Sequence, residues 1–206
     1  MKKISLILFF IILCSVSVSA QQLRVRVFSQ QKIKQTSFVP SFGRYSVEID
    51  GNLTRLSRTS NVKLSALNGK VEIRINDSVF ANSEKVTFKS EGIKSFFRLK
   101  PIAPEIAERR YDDALEVSVN GNGNLVLINI VEQENYIAGV VQSETWGATK
   151  NIDFFKVQAI CCRNYLFRNM NKHSKDGYHL CDDVHCQAYK TRANQPEVTE
   201  GAYKSR

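Results

Sequence analysis

From Leu23 to Ile130 the apolar side chains recur at every second position, and that alternation confines this part of the chain to half-buried β-strands. Leu23, Val25 and Val27 alternate with Arg24 and Arg26; Tyr45, Val47 and Ile49 with Ser46 and Glu48. Val71, Ile73 and Ile75 repeat the pattern around Glu72 and Arg74, and Leu115, Val117 and Val119 around Glu116 and Ser118. Asn120-Gly121-Asn122-Gly123-Asn124 is a turn sequence, because Asn and Gly tolerate the left-handed backbone that tight hairpins need. Leu125 to Ile130 is then the returning strand. Pro101 and Pro104 interrupt the run before Leu115, and a loop is expected there.

At Glu132 the period changes from two to that of a helix. Tyr136, Gly139, Val140 and Ser143 fit a short helix that Gly147 ends, and Asn151 and Asp153 are capping residues for a second. From Phe154, the spacing of Val157, Ile160, Cys161, Asn164, Tyr165 and Arg168 predicts a helix ending near Asn169 to Asn171. The expected fold is α+β. Residues 21–130 form a mainly antiparallel, strand-rich part, and residues 131–206 a two-helix core followed by a His/Cys-rich loop.

Residues 1–20 read as a cleaved signal peptide. Lys2 and Lys3 precede an apolar run from Ile4 to Val18, and Val18-Ser19-Ala20 offers the small residues of a cleavage site. The run is shorter than the roughly 20 residues a spanning helix needs, so no stable membrane span is expected after cleavage. Export would place the mature protein in the periplasm, cell wall or extracellular space. Without its leader the chain keeps 27 basic and 20 acidic residues, a net of +7. Such a charge suits nucleic acid or a polyanionic envelope, and export excludes the first.

Three later segments carry chemistry-bearing groups. Asn135 to Glu144 is an apolar helix that delivers one carboxylate at its end. Apolar surroundings would disfavour its charged form, as a general acid working near neutral pH requires. Lys156 to Tyr165 places Gln158, Arg163 and Tyr165 on a helix otherwise suited to a core, where they would orient Glu144 or bind sugar hydroxyls. Cys161 and Cys162, within the same helix, read as small buried hydrophobes. The third segment runs from His173 to Tyr189 and holds all three histidines of the chain with Cys181 and Cys186. Thiolate and imidazole are the preferred ligands of tetrahedral zinc. Cys181, Cys186 and His185, with either His173 or His179, would make a closed structural site. A Cys181–Cys186 disulfide is the competing reading, which export permits.

Asn-Tyr-Ile-Ala-Gly-Val-Val-Gln-Ser-Glu at 135–144, Lys-Val-Gln-Ala-Ile-Cys-Cys-Arg-Asn-Tyr at 156–165 and Cys-Asp-Asp-Val-His-Cys-Gln-Ala-Tyr at 181–189 follow one another at close spacing. In that order they resemble the SpoIID/LytB family of stage II sporulation proteins and amidase enhancers. The likeness is strongest from Asn129 to Tyr189, and the strand-rich stretch before it looks like the family's N-terminal portion. Cys161, Cys162 and Asn164 depart from the family's usual small residues and threonine. Members ordinarily continue into a Ser/Gly-rich segment that helps build the cleft, so the core is expected to be truncated at its C-terminal end.

What the resemblance implies is a peptidoglycan lytic transglycosylase. It would cleave glycan strands between N-acetylmuramic acid and N-acetylglucosamine and leave 1,6-anhydro ends. Glu144 would be its single acid and base, the only acid in the 135–144 stretch. Gln158, Arg163, Tyr165, Gln187 and Tyr189 would contact substrate, and His173, Cys181, His185 and Cys186 would hold a structural zinc. The alternative is a non-catalytic cell-wall-binding module that enhances a partner amidase. A zinc hydrolase ranks behind both, since the chain lacks the two-histidine-plus-acid helical signature of the common zinc proteases.

Overall fold

The computed structural model describes residues 21–206; the expected signal peptide, 1–20, lies outside them. Ten strands precede the first helix: β1 (Gln22–Val27), β2 (Gln35–Ile49), β3 (Asn52–Arg55), β4 (Val62–Leu67), β5 (Lys70–Ile75), β6 (Ser78–Ser83), β7 (Lys85–Ala103), β8 (Arg109–Asp112), β9 (Ala114–Val119) and β10 (Leu125–Glu132). Then come α1 (Gln133–Thr145), α2 (Ile152–Asn169), a 3-10 turn (Ser174–Asp176), β11 (Leu180–Cys181) and α3 (Pro196–Lys204). The α+β expectation is met, with three α-helices among the described residues rather than two.

The strands form one sheet in the order β11-β1-β10-β9-β7-β2-β4-β5-β6, with β3 beside β2 and β8 beside β7. All ladders are antiparallel except β1 with β11. The Asn120–Asn124 turn closes the β9–β10 hairpin as its composition predicts. The Asn120 side-chain oxygen accepts from the backbone N–H groups of Asn122 and Asn124, at 3.1 and 3.0 Å.

The loop expected before Leu115 is present from Pro104 to Glu108, between β7 and β8, but Pro101 itself lies in strand. Pro101 pairs with Thr36 of β2. On the other edge of β7 the β8 ladder ends at Leu99, so a residue without an N–H is tolerated where one side lacks a partner.

Phe38, Phe88, Phe97 and Tyr111 fill the core between β2, β7 and β8. Phe38 stacks on Phe88 at 4.0 Å between ring centres. The aromatic column continues from Tyr111 to Tyr189 at 5.4 Å and from Tyr189 to Tyr136 of α1 at 5.0 Å. Each such ring removed from water contributes roughly 1.5–3 kcal/mol. The column therefore fixes α1 to the sheet.

Helix α1 is buried over most of its circumference, as expected of a helix apolar all round. Its backbone comes so close to Tyr189 that a Cβ at Gly139 would lie 2.4 Å from that ring; only glycine fits. In α2 the buried residues are Phe155, Ala159, Cys162 and Leu166, spaced i, i+4, i+7, i+11. This corrects the face expected from the sequence: Val157, Ile160 and Cys161 point to solvent. Asn151 caps α2 as anticipated, its side chain accepting from Asp153 and Phe154 N–H.

Asp182 locks the segment after β11 to the sheet. It is buried, and its carboxylate accepts from Phe28 N–H (2.8 Å), Ser29 N–H (3.0 Å) and the Ser29 hydroxyl (2.7 Å). It also pairs with Arg109 at 2.7 Å. Asp182→Ala would strand a buried guanidinium and two backbone donors. The expected loss is about 3–5 kcal/mol, read as a lower denaturant midpoint at unchanged slope. A loss below about 1 kcal/mol would show that the Asp182 contacts do not hold the loop.

Candidate functional site

Glu144 occupies the last turn of α1. The helix stops at Thr145 because Trp146 adopts a left-handed backbone (φ 51°), its N–H returning to the Gln142 carbonyl at 3.0 Å. The Glu144 side chain is solvent-exposed. Gln158 of α2 donates to its Oε2 at 2.9 Å, and the Cys162 thiol approaches the same oxygen at 3.9 Å. Burial, and then Glu144 itself, push that thiol up to about 12, so it stays protonated and acts as a weak donor. No cation pairs with Glu144 among the described residues. The apolar enclosure expected around it is absent. Glu144 lines neither the cavity of about 570 Å³ on the far side of α1 nor the smaller one beside Ser37 and Lys63.

Exposed apolar residues lie close to Glu144 and Gln158 in the sequence of α1 and α2. Trp146, the only tryptophan of the chain, is 82% exposed, and Val157, Ile160 and Phe154 of α2 are also open to solvent. An aromatic face next to a carboxylate and an amide can hold a ring that is apolar on its face and polar at its edge.

The second cluster lies where β11 leaves the sheet. The ligand atoms of His173, Cys181, His185 and Cys186 all lie within 4.8 Å of one another, so the group could hold a metal ion. Cys186 Sγ is 3.4 Å from His173 Nε2, and His185 Nδ1 is 3.8 Å from Cys181 Sγ and 3.9 Å from Cys186 Sγ. Tetrahedral bonds of about 2.0–2.3 Å put ligand atoms roughly 3.3–3.8 Å apart. The four therefore fit a tetrahedral ion with little movement. Cys181 and Cys186 are free thiols rather than a disulfide.

His173, not His179, completes this set. The His179 Nδ1 instead accepts from Arg24 N–H at 2.9 Å. His173 Nδ1 faces Asp176 at 3.7 Å, the outer carboxylate contact that orients metal-binding imidazoles. Burial, then His185, hold His173 below the ordinary histidine range, which keeps its ligating nitrogen unprotonated.

Residues 121–205 match the family model described as Stage II sporulation protein, SpoIID. This part of the chain is similar to the SpoIID family. The match starts in the β9–β10 turn and takes in all three helices and the His/Cys cluster; the strands before it lie outside the match. No curated protein and no solved structure matches the chain. Among the described residues, no helix is long and apolar enough to cross a membrane.

Within the matched stretch the expected substrate contacts separate into two groups. Gln158 stands at Glu144, as described. Tyr165, partly exposed, donates to the His185 carbonyl at 3.4 Å and so braces the metal cluster. The other three are interior. Tyr189 is wholly buried and donates to Asn129 Oδ1 at 2.8 Å. Gln187 is buried between Tyr136, whose hydroxyl donates to it at 3.2 Å, and the Cys162 carbonyl, to which it donates at 3.4 Å.

Arg163 pairs with Glu134 at 2.7 Å and donates to the Ala202 and Ser205 carbonyls at 3.2 and 3.1 Å. That pair ties the three helices together. Tyr189 and Gln187 are buried with their polar atoms paired inside the protein, and Arg163 turns both terminal nitrogens to Glu134 and the α3 end while its buried Nε has no partner; all three therefore stand as packing and positioning groups.

Glu134 was invisible as a partner in the sequence. The short-helix reading began at Asn135, whereas α1 starts at Gln133 and so contains two acids. Glu134 is spent on Arg163, which leaves Glu144 as the unpaired one. Trp146 was also missed, although a lone tryptophan two residues beyond the carboxylate was a signal. Gln187 joins the two clusters, since its neighbour Cys186 belongs to the metal group and its amide reaches Cys162 beside Glu144.

Proposed function

We propose that this chain is a peptidoglycan lytic transglycosylase with Glu144 as its acid and base, and that the His173, Cys181, His185 and Cys186 cluster holds a structural zinc. The observation that carries the reading is the state of Glu144: an exposed carboxylate with no counter-ion, held by two side-chain donors two residues before an exposed tryptophan. Surface acids on this chain commonly pair with a lysine or arginine, as Glu91 does with Arg55; Glu144 does not.

A sugar ring laid on Trp146 would displace water from the carboxyl group, which favours its neutral form. As the bond from C1 of N-acetylmuramic acid to the bridging oxygen breaks, Glu144 gives its proton to that oxygen. The carboxylate then takes the proton of the same sugar's C6 hydroxyl, whose oxygen closes on C1. The proton returns to Glu144, a 1,6-anhydro ring forms and no water is consumed. One carboxylate suffices, whereas ordinary glycosidases need two. Gln158 holds the Glu144 oxygen in place between the two transfers.

The zinc has no part in the bond cleavage in this scheme. Four protein ligands close its shell, and closed shells are structural. Digestion of glycan strands with the mature protein, followed by mass spectrometry, tests the reading. Anhydro ends support it. Reducing ends formed by hydrolysis, or no cleavage at all, favour the wall-binding module that assists an amidase. Expected localisation follows the leader: export to the wall-facing compartment.

A further inference from the structure

The cavity of about 570 Å³ on the other side of α1 has no part in the scheme above. It lies where β2, β7 and β8 meet α1 and α3, and Phe42, Phe96, Ser95, Asp112, Glu132 and Arg192 are among its lining. Its size is that of ordinary ligand sites. Asn135 and Ala138 of α1 also line it. Glu144 lies nine positions beyond Asn135, and at about 100° per residue that is half a turn away. The cavity and the Glu144 surface are thus separate.

Three features make it a site rather than a packing gap. Phe42 and Phe96 lie parallel, their planes within 7° and their centres 5.9 Å apart. Phe42 is stacked on Phe96 and is 57% exposed, so it offers an open aromatic face. Facing this platform are polar groups with unused capacity. Arg192 gives only its Nε to Asp112, at 2.7 Å. Its guanidinium lies over the Phe96 ring, 4.4 Å from the centre, and neither terminal nitrogen has a partner among the described residues. Asp112 Oδ2 and Glu132 Oε1 are likewise without a protein donor. Lastly, Ser95 is 4% exposed and its hydroxyl has no hydrogen-bond partner, a rare state for a buried polar atom.

We propose that this cavity is a second saccharide-binding site, taking a hexose unit of a glycan strand flat against the exposed face of Phe42. A pyranose has C–H groups on its faces and hydroxyls around its rim. The Phe42 face suits the former; a guanidinium, two carboxylates and a hydroxyl suit the latter. The lining sets Arg192 and Lys94 against Asp112 and Glu132, so its charges balance and an uncharged polyhydroxy ligand fits better than an anion. Burial pushes Asp112 up to about 6 against the pull of Arg192, and it remains an acceptor at neutral pH. That the strand is peptidoglycan rests on the glycan reading above; that the cavity takes sugar does not.

The test uses the mature protein and the β-1,4-linked tetramer of N-acetylglucosamine, followed by amide NMR. Perturbed resonances should cluster at Phe96, Arg192 and Tyr203, in wild type and Glu144→Gln alike. Phe42→Ala should weaken these shifts at least tenfold in affinity, and Phe42→Trp should restore them. Phe42 is exposed, so unfolding does not cloud the result; an unchanged melting temperature checks this. Full-strength binding by Phe42→Ala, or a tetramer that perturbs only residues around Trp146, overturns the site. So does saturation of the cavity by a dipeptide with free amine and carboxylate but not by the sugar. Loss at Phe42 without anhydro product from wild type keeps this site and rejects cleavage. Anhydro product with no effect at Phe42 does the reverse.

Discussion

Glu144→Gln is expected to cut release of anhydro-terminated glycan by about 10²–10⁴-fold, the range assigned to a positioned general acid or base. The amide has nearly the shape of the acid and can still meet Gln158, but it neither gives nor takes a proton. Because Glu144 is exposed and unpaired, the substitution leaves no buried charge behind. Melting temperature and glycan binding should stay as in wild type. Gln158→Ala makes the companion measurement: it removes the 2.9 Å contact that fixes the carboxyl oxygen and should lower turnover with little change in binding. Activity in Glu144→Gln within twofold of wild type would end the transglycosylase reading.

Removing metal is expected to have the largest effect on stability. Held at zinc about 1,000-fold over its dissociation constant, the protein gains about 4 kcal/mol, which corresponds to roughly 8–16 °C in melting temperature for a chain of this size. Chelation should remove that gain. Turnover should then fall as a consequence, because Gln187 connects the cluster to Cys162 and so to Glu144.

The pH dependence has a fixed sign. Burial pushes the Cys186 thiol up to about 11, so at neutral pH it is protonated in the metal-free protein and ionises only when metal binds. Binding must release protons, and affinity must weaken as pH falls. A weakly buffered zinc titration would record both. If chelator leaves melting unchanged and alkylation finds two free thiols instead of four in the mature chain, the Cys181–Cys186 disulfide is the right reading.

The order of elements was legible because it depends on local periodicity. Alternation at Leu23–Val27, Tyr45–Ile49, Val71–Ile75 and Leu115–Val119 predicted strands that the structure contains, and the Asn/Gly turn and the Asn151 cap fell where their side-chain chemistry put them. Periodicity failed where two answers share it. In α2 the run from Val157 to Ile160 is as apolar as that from Phe155 to Leu166, and only contact with α1 and α3 decides which side is covered. Helix α3 was overlooked because Pro196 reads as a breaker unless it is recognised as the first helical residue. Pro101 misled in the same way, since an edge position in a sheet is a property of the neighbours.

For the site, the sequence alone determined the chemical inventory: a carboxylate at the end of a short apolar helix, a Gln/Arg/Tyr helix after it, and histidines and cysteines crowded into 14 positions. Residue type and spacing carry that information without a fold. Only the tertiary structure decided which groups are free to act. It paired Arg163 with Glu134, buried Gln187 and Tyr189, chose His173 over His179 and left Glu144 facing solvent. The reason is physical: a side chain's chemistry depends on its unsatisfied atoms, and the groups that satisfy them come from elements 20 to 150 residues away.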